Sequence, residues 1–149
     1  MNETQGSCEL TAAPGQAVQG SRVLRFRPDF RWDGVAVADY KDPAEHWRGI
    51  ARMCLVGESG ESTRFQLRYF EIAPGGFSSF ESHAHEHAVF VLRGRGEVQL
   101  GEVLERVGFG DVVYVAPHAP HQFRNPSTDE PFGFLCVVDA ERDRPTLAR

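Results

Sequence analysis

The sequence has no run of 18 apolar residues, so we expect no helix that crosses a membrane. Its first 20 residues lack the apolar stretch of a signal peptide, which predicts a protein that stays in the cytoplasm. Cysteine is scarce: only Cys8, Cys54 and Cys136 occur, and they are widely spaced. An odd and scattered set of this kind argues against a disulfide framework and agrees with a reducing compartment.

Lysine is almost absent, since Lys41 is the only one among 16 basic residues, and the formal net charge is −5. An acidic chain neutralises few phosphates, so we expect no binding to nucleic acid. The first 60 residues contain no helix-turn-helix pattern, which argues against a DNA-binding regulator. The 149 residues, 41% hydrophobic and 25% charged, are otherwise typical of one globular domain.

The apolar residues occur in short runs. Residues 1–20 are small and polar, and we expect a disordered tail there. Residues 21–64 form an N-terminal extension with three short apolar runs, and Asp42 before Pro43 predicts one helical turn over 42–47. Eight predicted strands follow, at 65–72, 77–83, 87–94, 96–101, 102–107, 111–116, 121–125 and 132–139. Short strands separated by turn residues predict an all-β sandwich or barrel.

Histidine is concentrated in two places. Five of the six histidines form two clusters: His83, His85 and His87, then His118 and His121. Residues two apart on a strand face the same side, so Glu81 and His83 project together, and His85 joins them if the strand continues. Imidazole and carboxylate groups that converge inside a barrel are costly to bury unless a cation satisfies them. We therefore predict a metal site rather than a polar loop of hydrogen-bonded histidines.

Two motifs surround these histidines. In the first, a Pro-Gly-Gly turn at 74–76 precedes the acidic and histidine residues, and the segment 91–96 closes it with Gly94 and Gly96. The second is a Gly-Asp pair, a Pro-rich turn and a His with Asn four residues later, matched by Gly110, Asp111, Pro117, Pro120, His121 and Asn125. Together the motifs resemble those of a small single-domain cupin over residues 65–139.

The resemblance implies a cupin-type double-stranded β-helix, which is a jelly-roll barrel, over residues 65–139. The extension 21–64 would pack on this barrel, and residues 140–149 would form a C-terminal tail. Counted from both ends of the first motif, the resemblance also implies a set of four metal ligands, namely Glu81, His83, His87 and His121.

The sequence departs from the cupin pattern at two positions. Glu81 stands where the first histidine usually occurs, which changes the charge at the metal. His85 is an additional imidazole in the predicted turn, and three roles stay open for it: a ligand in place of Glu81, a base beside the ligands, or an exposed side chain. A register with His83 and His85 as the first pair would leave a one-residue turn before His87, which is too tight for a hairpin.

The remaining candidates have simpler expected roles. We expect His118 to be exposed in the turn before His121, and Asn125 to cap backbone groups. Asp111 would shape the turn after Gly110. Cys136 is expected in the core rather than as a nucleophile.

Three or four protein ligands leave coordination positions open, which is typical of a catalytic metal site. Ligands without thiolate suit one divalent ion, either Fe, Mn, Ni, Zn or Cu. The resemblance implies a metal-dependent enzyme, first of all a dioxygenase-like oxidoreductase acting on a small organic substrate, with His85 as its proton-transfer group. The alternatives are an isomerase, lyase or decarboxylase that uses the ion as a Lewis acid, and a nonenzymatic cupin that binds a metal and a small ligand.

Two further expectations concern substrate and assembly. One of Arg68 and Tyr69 must face the interior, and an arginine there would suit an anionic substrate. The alternating residues of 23–32 predict a strand that pairs with a barrel edge, either its own or a neighbour's. The resemblance implies a homodimer, which deletion of 21–32 would test.

Overall fold

The structure is a computed structural model that describes residues 20–41 and 45–149. The predicted tail over 1–20 lies outside the described residues apart from Gly20, and so does the start of the turn predicted over 42–47. Every regular element in the two described ranges is a β-strand, so the all-β class is confirmed. No helix in these ranges could cross a membrane.

Thirteen strands follow one another in the described ranges. They are β1 (Phe26–Arg27), β2 (Arg31–Trp32), β3 (Ala38–Asp39), β4 (Arg48–Val56), β5 (Phe65–Phe77), β6 (Glu81–Ser82), β7 (His87–Arg93), β8 (Arg95–Leu100), β9 (Val103–Gly108), β10 (Val112–Val115), β11 (His121–Arg124), β12 (Phe132–Asp139) and β13 (Thr146–Leu147). Strands β5 to β12 correspond closely to the eight that the sequence predicts.

The main sheet is organised around β5. The first part of this strand, 65–72, pairs with β12 on one side and with β4 on the other. Its end at Phe77 pairs with Arg124 on β11 and still with Arg48 on β4. The strand order is β10-β7-β12-β5-β11-β6-β13, β3 pairs with β4, and β8 lies between β11 and β9. All of these pairs are antiparallel, and the curled sheet confirms the predicted jelly-roll architecture.

β5 continues through the Pro-Gly-Gly segment, where the sequence predicts that one strand ends and a turn begins. Gly75 has a φ of +75°, which bends the chain in a conformation that favours glycine. The ladder is nevertheless kept, because Gly75 N–H donates to Asn125 O at 3.0 Å and Asn125 N–H donates to Gly76 O at 2.9 Å. The predicted turn is therefore a bend within one long strand.

Alternation along the strands gives the sheet two different faces. On β5, Phe70 and Ile72 point to the inner face, where they belong to a large buried cluster together with residues of β4, β7, β8, β10, β11 and β12. Tyr69 points to the outer face and packs with Met53 and Leu55 in a second, smaller cluster. The inner face also contains the histidines.

The N-terminal extension covers the outer face. β1 and β2 pair with each other, so the described residues of 23–32 do not pair with an edge of their own barrel, and pairing with a neighbour's edge stays a prediction. Their aromatic side chains pack on the sheet instead: the Trp32 and Phe30 rings lie 5.1 and 6.3 Å from the Tyr69 ring. This burial of aromatic surface outweighs edge pairing by a two-residue strand. The homodimer stays a prediction.

Two segments that the sequence places outside the barrel take part in the main sheet. β4, within the predicted extension 21–64, runs along β5. β13, within the predicted tail 140–149, pairs with β6 through Thr146 and Leu147. The C-terminal segment therefore lies against the strand that leads into the first histidine cluster.

Candidate metal centre

Three histidines from separate strands converge on the inner face. His83 directly follows β6, His87 begins β7 and His121 begins β11. Their candidate ligand atoms all lie within 4.8 Å of one another. The Nε2 atoms of His83 and His87 are 2.8 Å apart. Three of the four predicted ligands thus come together at the end of the barrel where β6, β7 and β11 begin or end.

Backbone contacts fix how these rings are protonated. His83 Nδ1 lies 2.7 Å from the His85 carbonyl oxygen, and His121 Nδ1 lies 2.9 Å from the Ala119 carbonyl oxygen. Carbonyl oxygens only accept hydrogen bonds, so both Nδ1 atoms carry the proton and both Nε2 atoms present lone pairs. The His83 Nε2 lone pair faces His87 Nε2 at 2.8 Å, a contact in which a cation can take the place of the shared proton, so these residues fit a divalent ion.

The environment keeps the three imidazoles neutral. Burial lowers the pKa of His87 to about 2, with repulsion from His121 and His83 as further causes. Burial also lowers the pKa of His83 and of His121. Neutral imidazole is the form that binds a metal, so the protein maintains the metal-binding state without having to displace protons at neutral pH.

Glu81, the fourth predicted ligand, lies beside this group but is held by another residue. It pairs with His121 across the β6–β11 ladder, and only 7% of it is exposed. Its Oε2 accepts a hydrogen bond from Lys41 Nζ at 2.5 Å. Sequence reasoning missed Lys41, because a single lysine 40 positions away belongs to no motif. Ligation by Glu81 stays a prediction.

His85 is buried, so of the three roles left open for it the exposed side chain is excluded. It is 8% exposed, and its ring stacks on that of His83 at 3.6 Å with an angle of 3° between the planes. Its Nδ1 lies 2.8 Å from Asp143 Oδ1. Asp143 also accepts the Ala84 N–H at 2.8 Å, and these backbone and ring contacts lower its pKa. Sequence reasoning missed Asp143, which lies in the predicted C-terminal tail without any motif.

The weaker candidates have the expected places. Asn125 Nδ2 donates to the carbonyls of Ile72 and Glu130 at 2.9 and 2.8 Å, which confirms the backbone cap. Asp111 accepts the Gly108 N–H at 2.7 Å and so shapes its turn. The side chain of His118 is exposed, as predicted.

Cys136 is a core residue, as predicted, but it also touches the candidate metal centre. It is 2% exposed, and its Sγ lies 3.2 Å from His87 Nδ1. Arg68 Nη2 donates to the same sulfur at 3.5 Å. Burial raises the pKa of this thiol, although Arg68 opposes the shift. A neutral thiol therefore positions the His87 ring from behind.

A cavity of about 260 Å³ opens onto the three histidines. Apolar side chains form part of its wall: Ile50, Phe70, Phe123 and Phe134. Cationic side chains form another part: Lys41, Arg52, Arg68 and Arg142. Among the described residues, the lining contains two carboxylates: Glu81 is engaged by Lys41, and Asp143 is engaged by His85. The cavity therefore combines a metal-binding floor with a wall suited to an anion.

Comparison with known proteins extends these observations. The cupin domain family matches residues 68–138. A relative from Rhodospirillum rubrum, named 1-methylthio-D-xylulose 5-phosphate methylsulfurylase, is 42% identical over 123 residues, which cover 82% of this chain and 77% of the relative.

Solved structures agree with this match. A cupin 2 conserved barrel domain protein from Rhodopseudomonas palustris is 41% identical, with a TM-score of 0.77 over 86% of this chain and 87% of the other. A cupin-2 domain protein from Rhodospirillum rubrum is 36% identical, with a TM-score of 0.73 over 92% of this chain and 85% of the other.

Proposed function

This chain belongs to the cupin superfamily, and on that premise we propose that it is a metal-dependent enzyme whose substrate is a small phosphorylated sugar of the methylthio-xylulose type. The observation that carries the proposal is the set of three converging imidazoles on the floor of a cavity with a cationic wall. The name of the 42% identical relative supports the substrate class.

His83, His87 and His121 would hold the divalent ion, with Glu81 as the fourth ligand. The ion, when bound, supplies a Lewis acid for the carbonyl group of a ketose. Lys41 holds the Glu81 carboxylate in one orientation through its 2.5 Å contact. The protein residues thereby fix the ligand geometry before substrate arrives.

His85 is the group we assign to proton transfer. Its Nδ1 is held 2.8 Å from the Asp143 carboxylate, an arrangement that orients the ring. The Nε2 atom is then the one that exchanges a proton, at the carbon next to the substrate carbonyl. The stack on His83 keeps this ring beside the metal ligands.

The dioxygenase-like reaction, which is the first expectation from the sequence, is the competing function. It uses the same ligands, and it differs from our proposal in requiring oxygen. The cationic wall and the name of the relative favour the sugar phosphate. Assays with and without oxygen separate the two reactions.

The test begins with metal content, measured by elemental mass spectrometry on tag-free protein. We expect about one equivalent of a transition metal in the wild type, and its loss in the His83→Ala/His121→Ala double variant. His118→Ala is the matched control, because it removes an exposed histidine three residues from His121 and should keep the metal.

The same proteins are then incubated with 1-methylthio-D-xylulose 5-phosphate in deuterated buffer. We expect consumption of this compound or deuterium exchange at the carbon next to its carbonyl, both lowered about 1,000-fold or more in the double variant. His85→Gln should lower exchange while leaving the metal in place. Absence of metal even after reconstitution would refute the proposal. Turnover that occurs only with oxygen would instead support the dioxygenase-like reaction.

A further inference from the structure

Three arginines from separate parts of the chain line one side of the cavity. Arg52 lies on β4, Arg68 lies on β5, and Arg142 follows β12. Arg52 has a carboxylate partner, since its Nη1 lies 2.9 Å from Glu58 Oε1. Arg68 and Arg142 form no ion pair with another described residue. Arg142 Nη1 donates instead to the Asp139 carbonyl oxygen, at 2.6 Å.

Arg68 is the most poorly satisfied of the three. Its guanidinium packs 4.8 Å above the Phe70 ring, and the one hydrogen bond of its Nη2 to another described residue is to the Cys136 sulfur, at 3.5 Å. Its Nε is buried without a hydrogen-bond partner. A buried donor on a charged group is costly to leave unpaired, so this position favours an acceptor that approaches through the cavity.

The guanidinium groups are also held together against their mutual repulsion. Burial lowers the pKa of Arg142, and the charges of Arg68 and Arg52 lower it further. Glu58, which is paired with Arg52, opposes this shift but offsets only one of the three charges, so the cluster gains stability when a further anion joins it. The cluster is therefore best explained by binding.

We propose that Arg68 and Arg142, with Arg52 beside them, form the subsite for the phosphoryl group of the substrate. This inference rests on the proposed function. Planar guanidinium groups bind phosphate oxygens in pairs, and two cations without a carboxylate partner match the charge of a phosphate monoester, about −1.5 to −2 at neutral pH.

The place of this subsite fits a short sugar chain. Arg68 is linked to the metal centre by two contacts, Arg68 to Cys136 at 3.5 Å and Cys136 to His87 at 3.2 Å. A substrate bound at the metal by its carbonyl end can therefore reach these arginines with its other end, inside one cavity. The arginines would select phosphorylated sugars over free ones.

Binding of D-xylulose 5-phosphate and of D-xylulose to the metal-loaded protein, measured by calorimetry, tests the subsite. We expect Arg142→Gln and Arg68→Met each to weaken binding of the phosphorylated sugar about 10- to 100-fold and to leave binding of the free sugar unchanged. KM for 1-methylthio-D-xylulose 5-phosphate should rise by a similar factor, with kcat little changed.

Arg106→Gln is the control, because Arg106 lies on the exposed side of β9 outside the cavity. Arg142→Gln keeps the test valid if the Arg68 variant fails to fold. Unchanged affinity in Arg142→Gln, an equal loss in the control, or no binding of D-xylulose 5-phosphate to the wild type would overturn the subsite. Wild-type binding of D-xylulose 5-phosphate that is lost in Arg142→Gln, without turnover of the methylthio compound, would keep the subsite and refute the proposed function.

Discussion

Both faces of β5 carry charged and polar side chains, but the partners of these side chains differ between the two faces. On the outer face, the Glu71 carboxylate is contacted by Arg93 at 2.8 Å, by Arg31 at 3.6 Å and by the Tyr69 hydroxyl at 3.0 Å. On the inner face, Arg68 keeps a buried Nε without a partner among the described residues, and the Nε2 atoms of His83 and His87 contact each other at 2.8 Å.

This difference separates structural from functional polar groups. Buried polar groups that serve the fold alone are satisfied within the protein, because an unpaired one costs free energy. On the outer face burial and the nearby Glu71 raise the pKa of Tyr69, so it remains a donor. Arg68 and the histidines line the cavity, and what binds there accounts for their arrangement.

The largest expected effect is a loss of stability from a substitution on the outer face. Tyr69→Ala removes a fully buried ring on which Phe30 and Trp32 pack, and we expect the free energy of unfolding to fall by about 3–5 kcal/mol in urea titrations. Metal content per folded molecule should not change. Tyr114→Ala, at a 62% exposed position, is the control. Loss of metal from folded Tyr69→Ala would show that the two faces are not independent.

A smaller effect is expected on metal affinity, from a substitution on the inner face. Cys136→Ala removes the sulfur 3.2 Å from His87 Nδ1, and we expect metal affinity to weaken about 10- to 100-fold in competition with a chelator. Cys54→Ala serves as the control, since Cys54 lies away from the cavity lining and its thiol donates to the Val56 carbonyl oxygen at 3.4 Å. Equal affinities in the two variants would contradict a positioning role for Cys136.

The smallest effect concerns pH in the metal-free protein. The pKa of His87 is about 2 in the folded chain and about 6.5 in the unfolded chain, so the unfolded chain binds more protons below pH 6.5. The contribution of His87 to the free energy of unfolding is therefore present above pH 6.5 and decreases as the pH falls. At pH 5.5 it is lower by about 1.4 kcal/mol. His87→Asn should reduce this pH dependence in denaturant titrations at pH 7.5 and 5.5. A variant as pH-dependent as the wild type would argue against the buried neutral ring.

The sequence predicts those parts of the site that lie close together in the chain. His83, His87 and His121 belong to motifs with fixed spacing, and strand alternation accounts for the inner face. Lys41 and Asp143 were missed because each reaches its partner over 40 or 58 residues, through packing that no local pattern encodes.

Strand geometry explains the other differences. Whether Arg68 or Tyr69 faces inward depends on how the chain passes the bend at Gly75, and the structure places Arg68 in the cavity. Alternation in 23–32 specifies a strand but not its partner, which is why β1 pairs with β2 and not with an edge of its own barrel.

The contact between Lys41 and Glu81 gives the protein an unusual chemical property. The only lysine of the sequence sits at the cavity, packed against the Tyr40 ring and bound to the carboxylate beside the metal centre. Amine-selective labels, which modify many side chains at once in most proteins, have a single side-chain target here. A fluorophore or isotope attached at that amine would report from the site itself, without any mutation to install it.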